Sequence, residues 1–489
     1  MFSIVFGYEI AIAIFAIALY FLFHRDIFSL FLMSIVLAIF QASALLNFHI
    51  GQHGFGIQPV LFSLFFLLLA YLTVKEEKAI LKETVVYFWP LFAFAAFAVV
   101  LNFIGPWLFH GMPISNPRVG ITGYSEPLQF TSTNITYSIY IVFYVCVFAA
   151  VTSYVRRMSL SSVKTLFRIT IITFLVVIII SLYQMMVMRS FPGYWPEFLI
   201  NNKLGVAQLF YETLGNYPKA SGTFTEPSFL SYYLSGIFMG LSLLWLTQKE
   251  KCAWNVLILL LLAVFGLIIT LSSTAYVAMV FESIIILILA WRLSMRAFWK
   301  WLLVMLSIFI LSCAVHVAMK TIYYRDLPVK TAPPIAASFP IAQHARPPSI
   351  LESVLFSKNK TQSFVQRNYV DKLALKDFVD SWGVGIGGGS YRASSLLTTF
   401  LVGNGIIGLI LIILFLRKLF TISTADVVLN SMWRKYIFFF GGSTLGNLIA
   451  GCIAVPDISV AFFWLNLSIW IGLSWNKNKS DQECSPVCH

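Results

Sequence analysis

The 489-residue chain is strongly apolar, with 59% hydrophobic and only 11% charged residues. Soluble globular proteins carry roughly 25% charged residues, so this composition excludes a water-soluble fold of the same size. The formal net charge of +13 comes from basic residues that lie mostly between apolar runs. Anionic lipid headgroups are the simplest partner for them, and no nucleic acid is expected.

Thirteen apolar runs are long enough to form membrane-spanning helices, for which about 20 residues are needed. They lie near residues 4–23, 27–46, 56–74, 84–104, 134–154, 168–189, 228–246, 254–272, 275–291, 301–319, 395–416, 436–455 and 457–474. The chain is therefore predicted to be an all-α polytopic membrane protein. Lys and Arg accumulate in cytoplasmic loops, and 19 of the 33 basic residues lie in short loops on one side. This bias predicts an extracytoplasmic N-terminus and a cytoplasmic C-terminus.

Three longer segments fall on the opposite side of the membrane, near residues 105–133, 190–227 and 320–394. The predicted organisation is ten spans within 1–319, a large extracytoplasmic loop over 320–394, three spans within 395–474 and a cytoplasmic tail over 475–489. Loops longer than about 12–15 residues are usually functional or disordered. Inside the largest loop, the pattern near 362–380 predicts an amphipathic helix, which either lies along the membrane surface or packs on the helix bundle.

The segment from Tyr217 to Tyr233 opens the predicted seventh span with several polar residues. Pro227 suits the first turn of a helix, where a missing N–H costs nothing, and Glu226 is then at or next to the N-cap. One interpretation is a carboxylate that caps the helix and is stabilised by the helix dipole. The other is a carboxylate at the mouth of a cavity, placed to accept a proton from a hydroxyl.

Five glycines lie between Gly383 and Gly389, and Arg392 follows them just before the eleventh predicted span. A glycine-rich stretch lets backbone amides approach an anion closely. Arginine is suited to bidentate phosphate binding. The alternative is a flexible hinge followed by an arginine that anchors the chain to lipid headgroups.

Other ionisable residues support different hypotheses. His344 lies in an irregular part of the large loop, where it is either a general base or simply solvated. Glu282 and His316 lie inside predicted spans, where ionisable groups are costly and tend to be functional; both suit a proton-coupled transporter. The tail residues Cys484, Cys488 and His489 do not supply four ligands, so no metal site is expected.

The motif at the seventh span resembles a known family. From Lys219 to Ser228 the chain reads Lys-Ala-Ser-Gly-Thr-Phe-Thr-Glu-Pro-Ser, which is similar to the Arg-x-x-Gly-x-Phe-x-Glu-Pro-Ser pattern of bacterial O-antigen and exopolysaccharide polymerases of the Wzy type. Lys219 keeps the charge of the family's arginine but loses its forked donor geometry.

The later part of the chain resembles the wider O-antigen ligase and polymerase superfamily. There an arginine opens a helix, a Gly-x-Gly follows after about fifteen to twenty residues, and the next span carries Gly-Ile-x-Gly. The matching positions are Arg367, Gly383-Val-Gly385 and Gly405-Ile-Ile-Gly408. Ligases usually carry a histidine shortly before that span, whereas this chain has Tyr391-Arg392. The resemblance therefore favours a polymerase over a ligase.

The resemblance implies a metal-independent glycosyltransferase without cofactors in the bacterial inner membrane. It would move a growing glycan from undecaprenyl pyrophosphate to another lipid-linked repeat unit, outside the cytoplasm. A chain-length regulator, a flippase and membrane lipids are the implied partners. Glu226 is the leading candidate for the base and His344 the second. The expected pyrophosphate ligands are Arg367 and Arg392, together with Lys219, Arg325 and Arg346.

Two alternatives stay open. A ligase on the same fold would move finished glycan onto lipid A core or a protein. A lipid-linked oligosaccharide flippase or a proton-coupled permease would use Glu282 and His316, but the chain shows no internal repeat of the kind many transporters have.

Overall fold

The computed structural model describes residues 8–50, 53–74, 77–115, 125–188, 200, 208, 212–214, 217–247, 253–323, 362–391, 393–424, 431–455 and 459–475. The helices are α1 (Tyr8–Phe23), α2 (Ile27–Leu37), α3 (Pro59–Thr73), α4 (Glu77–Tyr87), α5 (Trp89–Leu108), α6 (Ser132–Val155), α7 (Leu160–Met188), α8 (Pro227–Thr247), α9 (Ala253–Ile269), α10 (Ser273–Leu293), α11 (Met295–Tyr323), α12 (Gln362–Asp380), α13 (Leu396–Thr424), α14 (Ser431–Ala454) and α15 (Ala461–Trp475). Six short strands form three antiparallel hairpins: β1 (Leu46–Ile50) with β2 (His53–Ile57), β3 (Pro113–Ser115) with β4 (Ser125–Pro127), and β5 (Thr213–Leu214) with β6 (Tyr217–Pro218).

The fold is that of an all-α, multi-pass membrane protein. Within the described ranges, eight helices are long and apolar enough to cross a membrane, or nine if α3 and α4 form one bent span. Four shorter apolar helices, α1, α2, α9 and α15, coincide with the remaining predicted spans. Length alone therefore supports fewer crossings than the thirteen predicted from the sequence.

The second predicted span shows why the count differs. Residues 27–46 are predominantly apolar and carry no charge, but α2 is only 11 residues long. At 1.5 Å per residue it covers about 16 Å, which is about half of a 30 Å hydrocarbon core. The helix begins at Asp26, whose carboxylate accepts a hydrogen bond of 3.0 Å from the Ser29 amide. After α2 the chain runs through turns and irregular structure over residues 38–45, and β1 begins only at Leu46, so the helical part of the apolar run ends at Leu37.

The chain divides into two compact units, each with its own core. The first comprises Met1–Leu67 and Thr165–Lys358, and the second comprises Leu68–Lys164 and Asn359–His489. In the first unit, α8 is the central helix, because every residue from Pro227 to Ser242 is buried. It packs against α9 and α10, whereas many apolar side chains of α11, such as Leu303 and Phe309, are exposed as lipid-facing residues would be.

The core of the second unit is built on a cluster of aromatic side chains. Phe88 packs edge-on against Phe148 and Phe415, with ring centroids 5.3 and 5.8 Å apart. Trp475 closes the cluster at 5.6 Å from Phe88, and the Arg156 guanidinium lies 4.2 Å above the Trp475 ring. Arg156 also pairs with Glu83 of α4 at 2.7 Å. The cluster joins α5, α6, α13 and α15 into one bundle.

A smaller apolar core lies at the ends of these helices. It is formed by side chains from the β3–β4 hairpin, from α12 and from the start of α13, and we call it the cap core. Its buried members are Ile114, Leu128, Ala374, Ile386, Tyr391, Ala393 and Val402. Val370, Leu373 and Phe378 pack against it from one face of α12, and α12 coincides with the range predicted for the amphipathic helix. The glycine-rich segment contributes Ile386 and so connects the cap core to the bundle.

Gly405 interrupts α13 with a positive φ of 62°. In a regular helix the Ile406 amide would donate to the Val402 carbonyl. Here it donates to the Gly383 carbonyl at 2.9 Å, and the Val402 carbonyl accepts instead from the Ile386 amide, also at 2.9 Å. The Gly387 amide similarly donates a hydrogen bond of 3.2 Å to the Gly403 carbonyl. The segment between α12 and α13 thus replaces the hydrogen bonds that the break removes.

This exchange requires backbones to lie unusually close together. Gly387 has a φ of +88°, and a Cβ built on it would lie 2.9 Å from the Leu101 carbonyl oxygen and 3.0 Å from the Asn102 Cα atom, both in α5. A side chain there would meet rigid helix backbone in addition to adopting a left-handed conformation. Gly387 is therefore a packing requirement of the second unit.

We expect Gly387→Ala to lower the free energy of unfolding by about 3 kcal/mol, because conformational strain and overpacking add. Gly111→Ala is the matched control, since Gly111 also has a positive φ of +81° but a Cβ there would meet nothing within 4 Å. It should cost only about 1 kcal/mol. Thermal unfolding of both variants in detergent measures the difference. Equal losses would show that the approach to α5 is not limiting.

Candidate functional site

The segment from Lys219 to Glu226, which carries the family-like motif, is an ordered loop in the first unit. Ala220 donates its amide to the Ile269 carbonyl at the end of α9, at 3.1 Å. Thr223 is bonded twice to the chain that follows α2: its hydroxyl donates to the Ile39 carbonyl at 2.6 Å, and its carbonyl accepts from the Ala42 amide at 3.0 Å. The loop is therefore fixed from two sides before α8 begins.

Two glutamines hold the tight turn in this loop. Gln184 of α7 is fully buried, and its Oε1 accepts hydrogen bonds from the Ser221 and Gly222 amides at 2.8 and 2.7 Å. Its Nε2 donates to the Ser221 hydroxyl at 2.8 Å. Gln208 donates to the Gly222 and Phe224 carbonyls at 2.7 and 3.0 Å. These bonds satisfy irregular backbone among apolar helices, where unsatisfied groups would be expensive.

Glu226 stands directly before α8. Its carbonyl accepts from the Phe229 and Leu230 amides at 3.1 and 3.2 Å, as an N-cap carbonyl does. Its half-buried carboxylate accepts from the Ser228 hydroxyl at 2.9 Å, the one hydrogen bond to this carboxylate within the described part of the chain. The remaining oxygen of the carboxylate is thus left for another donor, at a helix N-terminus that stabilises negative charge.

Lys219 is already paired with a carboxylate. The β5–β6 hairpin brings its ammonium within 2.6 Å of a Glu212 oxygen, and the Lys219 amide donates to the Glu212 carbonyl at 2.9 Å. Both side chains are partly buried. An anionic ligand would have to compete with Glu212 for this ammonium, so Lys219 is a weaker anion ligand than its position in the motif predicts.

Arg367 lies on α12 in the second unit and is half-buried. No ion pair of its guanidinium with another described residue is found. One turn along the helix, the Asp371 carboxylate binds α12 to the start of α13: it accepts from the Ser394 amide and the Thr398 hydroxyl, both at 2.8 Å, and from the Ser394 hydroxyl. The helix that carries Arg367 is therefore rigidly attached to the bundle.

The cap core holds an acidic side chain that sequence reasoning did not single out. Asp377 is only 3% exposed, and its Oδ2 receives no hydrogen bond from any described residue. Burial and, to a smaller extent, the charge of Asp380 raise its pKa to about 7, against the opposing effect of Lys376. Burial, followed by the charges of Asp377 and Asp371, also raises the pKa of the neighbouring Tyr391. Asp377 is thus a carboxyl group that changes charge near neutral pH.

Five amides of the glycine-rich segment are bonded within the protein and so are not available to an anion. The amides of Gly383, Val384, Gly385, Ile386 and Gly387 all donate to oxygen atoms of the protein. Asn134, at the start of α6, donates to the Gly388 carbonyl at 3.1 Å and to the Ser390 hydroxyl at 2.7 Å. These contacts also rule out a flexible hinge. Arg392, Arg325, His344 and Arg346 lie outside the described residues.

Two ionisable residues inside the first unit have specific partners. The fully buried Glu282 of α10 accepts a hydrogen bond from the Ser235 hydroxyl of α8, and its other oxygen lacks a donor among the described residues. His316 of α11 donates from Nδ1 to the Ser312 carbonyl at 2.6 Å, because a carbonyl can only accept. Its Nε2 then lies 3.2 Å from the Tyr276 hydroxyl of α10. Both pairs connect neighbouring helices.

Within the described ranges, the structure places no three His, Cys, Asp or Glu side chains where they could hold a metal ion. Comparison with known proteins finds no family model, no curated relative and no solved structure that matches the chain.

We expect Gln184→Met to free the Ser221–Gly222 turn, because two buried amides and a hydroxyl lose their partner. Leaving such groups unsatisfied costs about 1–3 kcal/mol, so amide hydrogen exchange in a peptide covering residues 219–226 should accelerate about tenfold or more. Gln184→Glu keeps an acceptor for both amides and should restore slow exchange. If the peptide of Gln184→Met exchanges as slowly as that of the wild type, the glutamine does not hold the turn.

Asp377 should make the stability of the second unit depend on pH. Its folded pKa of about 7 lies above its ordinary value of 3.8, so the folded state favours the protonated form and loses stability as pH rises from about 4 to about 7. Asp377→Asn should remove this loss and stabilise the protein by about 2 kcal/mol at pH 8.

Unfolding midpoints measured in detergent between pH 4 and pH 8 check this expectation. Asp380→Asn is the control and should keep most of the pH dependence, because burial is the larger cause of the shift. A wild-type profile that runs parallel to that of Asp377→Asn would mean that Asp377 is ionised throughout.

Proposed function

We propose that the chain is a polysaccharide polymerase of the Wzy type, which joins undecaprenyl-pyrophosphate-linked repeat units on the extracytoplasmic side of a bacterial inner membrane. The observation that carries the proposal is the motif from Lys219 to Ser228. Its loop is fixed by Gln184 and Gln208, and it presents the Glu226 carboxylate at the start of α8, with one oxygen that accepts no hydrogen bond from a described residue. A fixed carboxylate of this kind suits a general base.

In the proposed reaction, a hydroxyl oxygen of the acceptor glycan attacks the anomeric carbon of the donor glycan. The bond from that carbon to the pyrophosphate breaks, and undecaprenyl pyrophosphate leaves with the electron pair. The hydroxyl proton passes to Glu226, or to His344 if that residue is the base. Cations must stabilise the negative charge that grows on the leaving group.

Arg367 and Arg392 are the proposed pyrophosphate ligands, with Arg325 and Arg346 as further candidates. The lack of an ion pair for Arg367 among the described residues supports its part in this role. Lys219 is a less suitable ligand, because Glu212 already neutralises it. The segment over 320–394 carries ten Lys and Arg against five Asp and Glu, a balance that favours an anionic substrate.

The proposal also includes the topology. Counting the bent pair once, nine long helices and four shorter apolar ones fall at the thirteen predicted spans. Thirteen crossings with the N-terminus outside therefore require the short helices, including the 11-residue α2, to cross as well. The large loop over 320–394 then faces the periplasm, where no nucleotide sugar is available. The proposed enzyme needs no metal and no cofactor, and a flippase and a chain-length regulator would act with it.

A transporter for lipid-linked oligosaccharide or protons is the second candidate. It is favoured by Glu282, whose buried carboxyl has one oxygen without a donor among the described residues. Ionisable groups inside membranes are often part of transport pathways. A ligase on the same fold is the third candidate.

Deleting the gene and running the surface polysaccharide on a gel separates these functions. The polymerase proposal expects the ladder to collapse to lipid core carrying a single repeat unit. Long undecaprenyl-linked polymer with a bare surface would instead identify a ligase. An unaltered ladder would exclude glycan transfer and favour transport.

Complementation of the deletion strain with variants tests the proposed roles of Glu226 and Arg367. Glu226→Gln should reduce long polymer about a hundredfold or more, since a general base contributes roughly 10²–10⁴, and Arg367→Ala should abolish it while the protein stays in the membrane. The exposed neighbour variant Asn368→Ala and the buried variant Glu282→Gln should both restore the ladder. Long chains made by Arg367→Ala at normal expression would exclude Arg367 as a pyrophosphate ligand.

A further inference from the structure

The outer face of α12 is apolar although it lies opposite the cap core. Leu375 and Val379 lie one turn apart on one flank of α12, and Trp382 follows two residues after the helix ends at Asp380. They are 43%, 67% and 88% exposed. Trp382 even adopts a positive φ of 54°, which is uncommon for a bulky residue. A row of this kind marks an interaction surface more often than a solvated one.

Basic residues flank the apolar row. Lys372 and Lys376 are exposed next to Leu375 and Val379, and Tyr369 lies beyond them on the same side. Asp380 is the one exposed acidic side chain on this face of the helix. A helix with an apolar row, exposed lysines and aromatic residues is typical of elements that lie at the interface of a bilayer.

The position of this face along the spanning helices is fixed by backbone contacts within the second unit. Trp382 directly precedes the glycine-rich segment, which meets α5 near its end: a Cβ at Gly105 would lie 2.8 Å from the Ile386 carbonyl. The same segment meets α6 at its start, through the hydrogen bond from the Thr133 hydroxyl to the Gly389 carbonyl. Trp382 therefore lies next to a segment that contacts the end of one membrane-spanning helix and the start of another.

Exposed apolar side chains near this segment continue into the spans. Ile406, which donates its amide to Gly383, begins a row of exposed residues along α13 that includes Ile410 and Ile413. Trp107, at the end of α5, is also exposed. Tryptophan is enriched at the headgroup level of membrane proteins, so the face of α12 extends a lipid-facing surface to the depth of the headgroups.

We propose that Tyr369, Leu375, Val379 and Trp382 of this face dock onto the headgroup region of the bilayer that the protein spans, with Lys372 and Lys376 binding anionic phospholipid headgroups. The helix is held on both sides: its inner face packs on the cap core and its outer face contacts lipid. The docking does not depend on glycan transfer.

Photo-crosslinking of the full-length protein in nanodiscs tests this docking. With p-benzoylphenylalanine at position 382, irradiation should give phospholipid adducts detected by mass spectrometry, and position 379 should give the same result. Position 378 is the matched control, because Phe378 packs on the cap core, and it should give adducts within the protein. Protein adducts, or no adducts, at both 382 and 379 would overturn the proposal.

Lipid composition tests the role of the lysines. Adducts at position 382 should form preferentially with phosphatidylglycerol over phosphatidylcholine in mixed nanodiscs, by about fivefold for each lysine that engages a headgroup. Lys372→Gln combined with Lys376→Gln should abolish this preference while leaving the adducts themselves. Equal labelling of both lipids by the protein with intact lysines would overturn the assignment of anionic headgroups as their partner.

Discussion

Backbone amides and carbonyls that leave a helix near a bilayer must find partners within the protein, since lipid offers none. At Gly405 the regular hydrogen bond from the Ile406 amide to the Val402 carbonyl is replaced by two others. The Ile406 amide donates to the Gly383 carbonyl, and the Val402 carbonyl accepts from the Ile386 amide. The exchange determines the path of the whole glycine-rich segment and, through Ile386, the place of the cap core. In the other unit, the side chains of Gln184 and Gln208 bond to the Ser221–Gly222 turn.

These two solutions have different consequences for chemistry. The amides of Gly383 to Gly387 already donate to oxygen atoms of the protein and cannot also bind an anion, which leaves side chains such as Arg367 as candidate anion ligands in this unit. In the first unit, the turn fixed by Gln184 and Gln208 sets the direction of the Glu226 carboxylate, which accepts one hydrogen bond from the described residues. Each unit thus holds its own candidate groups: Glu226 precedes α8 in the first, and Arg367 lies on α12 in the second.

The sequence predicted the helices well where polarity changes sharply. The range of α12 follows directly from its period and its polar flanks, and Pro227 correctly indicated where α8 begins. The sequence could not show that α2 ends at Leu37, because the residues that follow it are largely apolar as well. The glycine run was compatible with an anion loop, a hinge or close packing. Its conformation depends on the break in α13 at Gly405, about twenty residues later.

The sequence also did not show which side chains bond to residues far away along the chain. Gln184 lies 37 residues before Ser221, and the only signal of its role was an amide side chain within an apolar run. The pairing of Lys219 with Glu212 depends on a two-residue hairpin that no pattern announces. Asp377 looked like one of several charges on an amphipathic helix, and its burial became evident only once Tyr391 and the β3–β4 hairpin were seen to cover that face.

The attachment of α12 to α13 through Asp371 links this helix mechanically to a span. If the opposite face of α12 follows the headgroups, any change in hydrocarbon thickness acts on a helix that cannot move without its neighbour. The break at Gly405 is the point in α13 best able to absorb such a mismatch, because no continuous helical ladder crosses it. The height of Arg367 above the bilayer centre would then vary with acyl-chain length and growth temperature. Lipid composition would in this way change how Arg367 binds its ligand.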